Sequence, residues 1–306
     1  MMFETFTYRV VQGLPIKLDL YRPVNTRPAP IIVWIHGGAL IGGSRGWTQP
    51  VVRDLLAELG YAQVSIDYRF APESKLPDII DDVAEAFRWI HESLPFQCAV
   101  DTGRIGVIGG SAGGYLTVMT GCMDVPRPQA LVSLYGYGDI VGPWYSEPDP
   151  FYLQQPKVTE EEARAAVGSV PISEQLSGGP DRFRFYLWCR QNGFWPREIM
   201  GIDPKLQPEA FVPFCPERNV GSDYPPTLLI HGNADTDVPY DRSVDMAAAL
   251  AKAGIAHELI TIEGGPHGFD GRLKTHDWAE KQGTPEGRAL SRAVEWFGQW
   301  LGVGPP

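Results

Sequence analysis

One serine stands between two pairs of glycines in GVIGGSAGGYLTV, residues 106–118. Apolar runs lie on either side, so the stretch reads as strand, glycine loop, helix. Three structures would place glycines there: a phosphate cradle, a tight turn without chemistry, or a sharply bent loop that lifts a nucleophile. A phosphate-binding loop needs Lys-Ser/Thr after its glycines, whereas Gly114 is followed by Tyr115 and Leu116. The dinucleotide pattern Gly-x-Gly-x-x-Gly is absent as well. What remains is Gly109-Gly110-Ser111-Ala112-Gly113, a Gly-x-Ser-x-Gly turn. It would hold the Ser111 hydroxyl at a helix N-terminus, where backbone N–H groups favour developing negative charge. In a chain with 34 glycines the same pattern can arise in an inert turn, so the partners decide.

Serine is a poor nucleophile until a base takes its proton, and a carboxylate must orient that base. On a strand–turn–helix framework the order along the chain is Ser, acid, His. Among six histidines, His91 lies in a helical pattern and His257 opens a strand. His36 precedes the serine, and His231 precedes any acid downstream of its own strand. His267, in EGGPHGF, follows the last strand on a glycine-rich loop and is the expected base; His276 is the alternative, in a loop less tied to a strand end. The acid is expected in HGNADTDVPY, where Asp235 and Asp237 both qualify. Asp235 ranks first, because Asp237, two residues before Pro239, could instead satisfy backbone donors where the next helix begins. Oxyanion donors are expected from WIHGGALIGG (34–43), as the N–H groups of Gly38 and Ala39 joined by that of Ala112. An ordinary strand-to-helix turn would favour glycine there too.

The elements that must position these residues alternate along the chain. FTYRVV and IKLDLY, joined at Gly13–Pro15, read as a hairpin. IIVWIH, AQVSIDY, RIGVIG, ALVSLYG, TLLIHG and HELITIEG read as further strands. Helices are expected from about Pro50, with Val52, Leu55, Leu56 and Leu59 inward, and from Pro77, with Ile79, Val83, Phe87 and Ile90 on one face. Others follow the glycine loop, span about Tyr240 to Ala253, and begin at the Thr284–Pro285 cap. Such alternation predicts a mostly parallel sheet with helices on both faces. Residues 139–224 break the rhythm, holding prolines and aromatics without a clear strand. TEEEARAAVG opens with a capping box (Thr159, Glu162), and DRFRFYLWCRQNG closes at Gly193. This predicts a helical cap inserted into one α/β domain that covers residues 1–306. Its aromatic residues Trp144, Tyr145, Phe151, Tyr152, Phe183, Tyr186, Trp188, Phe194 and Trp195 should mostly pack the insert, the remainder walling a pocket over Ser111.

The formal charge is −11 and the pI near 5.0, which argues against nucleic acid or an anionic membrane as partner. The N-terminal stretch lacks the apolar core of a signal peptide, and no run reaches membrane-spanning length, so a cytoplasmic location is expected. Cys98, Cys122, Cys189 and Cys215 form no Cys-x-x-Cys pair and read as small hydrophobes. No His/Cys cluster has ligand spacing, so neither a metal nor an organic cofactor is implied. A homo-oligomer is admitted but not required.

PIIVWIHGG, SIDYRFAPESKLPDIIDDV, GGSAGG, LLIHGNADTDVP and GGPHGF together resemble the hormone-sensitive-lipase-like and feruloyl-esterase-like carboxylesterases of the α/β-hydrolase superfamily. The likeness spans nearly the whole chain. It implies an α/β-hydrolase fold, a triad of Ser111, Asp235 and His267, and bracing roles for the DYRFAPE segment and Asp82. It also favours Asp235 over Asp237. Three residues depart from the group: Ala39 replaces the third glycine of the oxyanion loop, Leu40 an aromatic, and Gly110 the acid of Gly-Asp-Ser. The Ala39 methyl is expected to disfavour crowded alcohols. The reaction implied is hydrolysis of a small-molecule ester through an acyl-enzyme. The same machinery would serve an amidase, aryl formamidase, lactonase or small peptidase. A non-catalytic ligand-binding homologue is the reading from another class, disfavoured because all three triad residues are kept.

Overall fold

The computed structural model describes residues 3–22, 27–175, 178–273 and 283–302. Eight strands form one sheet: β1 (Phe3–Val11), β2 (Leu14–Tyr21), β3 (Ala29–Ile35), β4 (Ala62–Ile66), β5 (Val100–Gly110), β6 (Ala130–Leu134), β7 (Thr227–Gly232) and β8 (His257–Ile262). Their spatial order is β1-β2-β4-β3-β5-β6-β7-β8. β2 runs antiparallel to β1 and β4, and all pairs from β4 to β8 are parallel. The β1–β2 hairpin turns through Gln12 and Gly13, both at positive φ, whose twist matches that of the strands they join.

Side chains alternate across each strand, so the apolar runs feed two cores. From β3, Ile31, Val33 and Ile35 enter one core and Ile32 the other. Helices α2 (Leu76–Glu92), α3 (Ala112–Thr120) and α8 (Asp241–Lys252) pack on the first face; α1 (Pro50–Glu58) and the C-terminal helix, residues Pro285–Leu301, pack on the second. The expected faces hold: Ile79, Val83, Phe87 and Ile90 of α2 are buried, as are Leu290, Val294, Phe297 and Leu301 of the last helix. In α1, Val51, Val52 and Leu56 are buried, while Leu55 and Leu59 pack at the edge of that core. The last helix is capped where expected, Gly287 N–H donating to Thr284 Oγ1 at 3.0 Å. Among the described residues no helix is long and apolar enough to cross a membrane.

Between β6 and β7 the described residues of 139–224 hold helices and turns but no strand. Four α-helices lie there: α4 (Pro143–Ser146), α5 (Glu160–Ala165), α6 (Phe183–Asn192) and α7 (Trp195–Met200), which makes the C-terminal helix α9. The Thr159–Glu162 capping box starts α5, and Gly193 at φ 67° ends α6. The buried side chains of this insert join the core on the first face of the sheet. Trp144 stacks on Tyr145 at 3.6 Å between centroids, and Tyr145 stacks on Trp195 at 3.9 Å. Beside them the Arg190 guanidinium is fully buried, bonded to Asp149 at 2.6 Å and Asp237 at 2.8 Å.

Candidate active site

Strand β5 ends one residue before Ser111 and α3 starts one residue after it, so a single residue makes the turn. Its backbone sits at φ 57°, ψ −123°, outside the regions where most side chains rest. Neighbours come so close that Gly110 and Gly113 have no room for a side chain. A Cβ on Gly113 would lie 2.1 Å from the Ile35 carbonyl oxygen, and one on Gly110 would lie 2.6 Å from the Tyr135 hydroxyl. Tyr135 thus fills the space where the resemblance expects an aspartate. Its hydroxyl donates to Asp270 at 2.6 Å, and its ring meets the His267 imidazole edge-on at 4.8 Å.

The loop after β8 brings His267 over the serine from 156 residues away. Ser111 Oγ lies 3.0 Å from His267 Nε2, and His267 Nδ1 lies 2.7 Å from Asp235 Oδ2. A carboxylate accepts, so Nδ1 carries the proton and Nε2 is free to accept from the serine. Asp235 stands in the turn after β7 with both oxygens engaged. Oδ2 also faces His231 Nε2 at 3.2 Å, and Oδ1 accepts the N–H groups of Asp237 and Val238 at 2.8 and 2.9 Å. Burial alone would raise the pKa of this carboxyl, but the bonds from His231 and His267 outweigh it and hold the group ionised well below the usual range. Burial works the other way on His267 and is again overcome, here by the Asp237 carboxylate first and then Asp235, so its pKa is raised.

Across the serine, the loop after β3 turns its backbone inside out. His36 Nδ1 donates to Gly37 O at 2.7 Å, which sends the Gly38 N–H, antiparallel across the same peptide plane, the opposite way. Gly38 O accepts the N–H groups of Ile41 and Gly42 at 2.9 and 3.0 Å, which aims the Ala39 N–H away likewise. Those two N–H groups and that of Ala112 donate to no protein acceptor among the described residues. Burial lowers the His36 pKa to about 4, so the ring that fixes this geometry is neutral at ordinary pH.

Ser111, His267, Gly38 and Ala39 share a cavity of about 770 Å³. Trp34, Trp47 and Pro50 line it from the sheet side, Phe183 and Tyr186 from the insert, and Asp237 beside the imidazole.

One family model, BD-FAE, matches residues 18–250. The chain belongs to the BD-FAE family of α/β-hydrolase esterases. Esterase LipC of Mycobacterium tuberculosis is 28% identical over 259 residues, which are 83% of this chain and 57% of that protein. The non-reducing polyketide synthase Preu6 of Preussia isomera is 29% identical over 91% of this chain, but the chain spans 14% of that protein's length. Among solved structures, esterase 2 of Thermogutta terrifontis, phosphonylated by cyclosarin, superposes with a TM-score of 0.70 at 22% identity, covering 99% of this chain and 96% of the other. An esterase of Pyrobaculum calidifontis gives 0.69 at 24%, covering 99% and 86%. At such identities these two likenesses establish the α/β-hydrolase fold.

Some of this BD-FAE site differs from its sequence-level description. Asp237 does not cap α8, whose first N–H groups go to Pro239 O and Tyr240 O; Asp235 takes the N–H groups of Asp237 and Val238 in the turn before it. Asp237 instead accepts from the Tyr152 and Tyr186 hydroxyls and from Arg190, while its Oδ2 lies 3.5 Å from His267 Nε2. His231, set aside as a strand end, is a second donor to the acid; the four-residue spacing in HGNAD is its only sequence signal. Of the nine insert aromatics, Phe183 and Tyr186 reach the cavity wall. Asp82 does brace the scaffold, taking Arg69 Nε at 2.7 Å and the Arg69 N–H at 3.0 Å. His276 lies outside the described residues.

Proposed function

We propose that the protein is a serine carboxylic-ester hydrolase for small to medium acyl or aromatic esters, with residues 139–224 as a cap on a single catalytic domain. The supporting observation is the unbroken line from Ser111 Oγ to His267 Nε2 to Asp235, at 3.0 and 2.7 Å. Ser111 Oγ attacks the ester carbonyl while its proton passes to Nε2, and the resulting imidazolium is stabilised by Asp235. The carbonyl oxygen becomes an oxyanion facing the N–H groups of Gly38, Ala39 and Ala112. Nε2–H then protonates the departing alcohol as the C–O bond breaks, leaving an acyl-serine. Water, deprotonated by the same nitrogen, attacks that acyl group; collapse returns the proton to Ser111 and releases the acid. The cycle asks for no metal or organic cofactor.

Ser111→Ala tests this. Turnover of p-nitrophenyl butyrate should fall by roughly four orders of magnitude or more with the fold intact. A fluorophosphonate should phosphonylate the Ser111 peptide of the wild type and no other, with fluoride as the leaving group and a mass gain of the probe less HF. Substantial turnover by a clean Ser111→Ala preparation refutes the proposal.

A further inference from the structure

The oxyanion loop holds a conformation it does not favour by itself. Ala39 and Leu40 lie consecutively at φ 56° and 62°. L-residues adopt this left-handed region in succession only where surrounding structure imposes it. Leu40 cannot swing out to relax, since its side chain is fully buried in the core. The loop's carbonyls show what imposes the shape. Gly38 O is satisfied within the loop, and Leu40 O takes the Ala71 N–H at 2.8 Å. The other donors come from the insert. Trp195 Nε1 donates to Ala39 O at 3.0 Å, Arg182 Nε donates to Ile41 O, and the Gln175 N–H donates to Gly43 O at 2.9 Å.

Of these three, Trp195 acts on a strained residue itself, one peptide away from the Ala39 N–H. Its ring is fully buried and stacked on Tyr145, with Tyr137 meeting it edge-on. The indole N–H therefore has no water to turn to, and Ala39 O is its partner. Arg182 is fixed just as firmly, by two 2.7 Å bonds to Glu73 and one to Ala71 O.

We propose that Trp195 is a positioning residue for catalysis: its indole N–H, delivered by the insert, locks the Ala39–Leu40 backbone so that the oxyanion donors exist only while the insert is seated. This rests on the serine-hydrolase reading above. It makes the insert part of the catalytic apparatus and not simply a wall of the pocket.

Trp195→Phe removes the N–H and keeps most of the stack. Phe185→Leu is the control, a buried change in α6 with no bond to the loop. Two quantities are measured for each: kcat and KM on p-nitrophenyl butyrate, and the inhibition constant of n-butylboronic acid, which forms a tetrahedral adduct on serine. Direct loss of an oxyanion donor costs roughly a hundredfold or more, so loosening one from behind should lower kcat about tenfold in Trp195→Phe. KM should stay within about twofold, boronate affinity should fall by the same factor as kcat, and Phe185→Leu should keep both, whatever it loses in melting temperature. Should Trp195→Phe fail to fold, benzothienylalanine at position 195 replaces the N–H by sulfur at nearly constant shape and is measured in its place. Unchanged kcat and boronate affinity on loss of the N–H overturn the proposal. So do losses that track melting temperature equally in both variants. If the wild type neither turns over the ester nor binds the boronate, the serine-hydrolase reading fails instead.

Discussion

Asp237 separates the two aspartates of the acid loop by a measurable sign. Its Oδ2 stands 3.5 Å from His267 Nε2, the nitrogen that takes the serine proton in the proposed cycle. At that distance two unit charges attract by about 1.2 kcal/mol in a water-like medium and by about 4.7 kcal/mol at an effective dielectric of 20. Arg190, 2.8 Å from the other Asp237 oxygen, cancels part of this and places the effect near the lower figure. The Asp237 carboxylate is thus the foremost of the charges that raise the His267 pKa against burial. Because the neutral imidazole is the working form in the proposed cycle, Asp237→Asn should move the acid limb of the kcat/KM profile to lower pH. The rate on the plateau above the limb should fall less than about tenfold, whereas Asp235→Asn, which removes the partner of Nδ1, should cost about 10⁴-fold. The profile is followed from pH 5 to 9 on p-nitrophenyl butyrate at the wavelength where phenol and phenolate absorb equally. A limb that stays put or moves upward refutes the electrostatic reasoning, and equal plateau losses at the two positions refute the division of labour.

Other residues give sharp expectations. Arg190→Met leaves Asp149 of the insert and Asp237 of the loop after β7 without their shared cation, and should destabilise the protein by about 3–5 kcal/mol in urea unfolding. A loss below about 1 kcal/mol would show that the network is dispensable. Ala39→Gly frees a residue at φ 56°: relief of roughly 1–2 kcal/mol is offset by about 0.4–1 kcal/mol of chain entropy, for a small net gain in stability. The same change should raise turnover of a tert-butyl ester relative to an n-butyl ester, and an unaltered ratio would clear the methyl of any steric role. Across p-nitrophenyl esters the rate should peak at about two to six acyl carbons, since each methylene gains only about 0.8 kcal/mol while the cavity can still hold it. A rate still climbing at twelve carbons would show that the cavity does not limit the acyl chain.

What could be read from the sequence was whatever leaves a local mark. Strands buried on both faces show as apolar runs, and their ends show as glycines because backbone comes too close for a side chain, as Gly113 does to Ile35 O. Ser111, Asp235 and His267 each follow such a run, which is why chain order alone groups residues that the structure holds within 3.0 Å. The contents of the insert leave no such mark. Arg190 pairs with residues 41 and 47 positions away, and nothing in its helical neighbourhood says which carboxylates the chain path will deliver. Asp237 looks like a capping residue from its distance to Pro239. No side chain caps α8, and Asp235 uses one oxygen on the N–H groups of Asp237 and Val238 in the turn before it and the other on the imidazole. The left-handed pair Ala39–Leu40 was equally hidden, because neither residue type announces positive φ.

The loops after β5, β7 and β8 each contribute one member of the line from serine to acid, and Ser111 and His267 are 156 residues apart. Such contacts form only after long loops have closed, and closure over such spans is slow compared with helix formation. Regained turnover during refolding should therefore trail the recovery of circular dichroism. A fragment lacking β7 or β8 would be silent however well its remainder folded, so two such fragments that bind each other would report their own reunion by the colour of released p-nitrophenol.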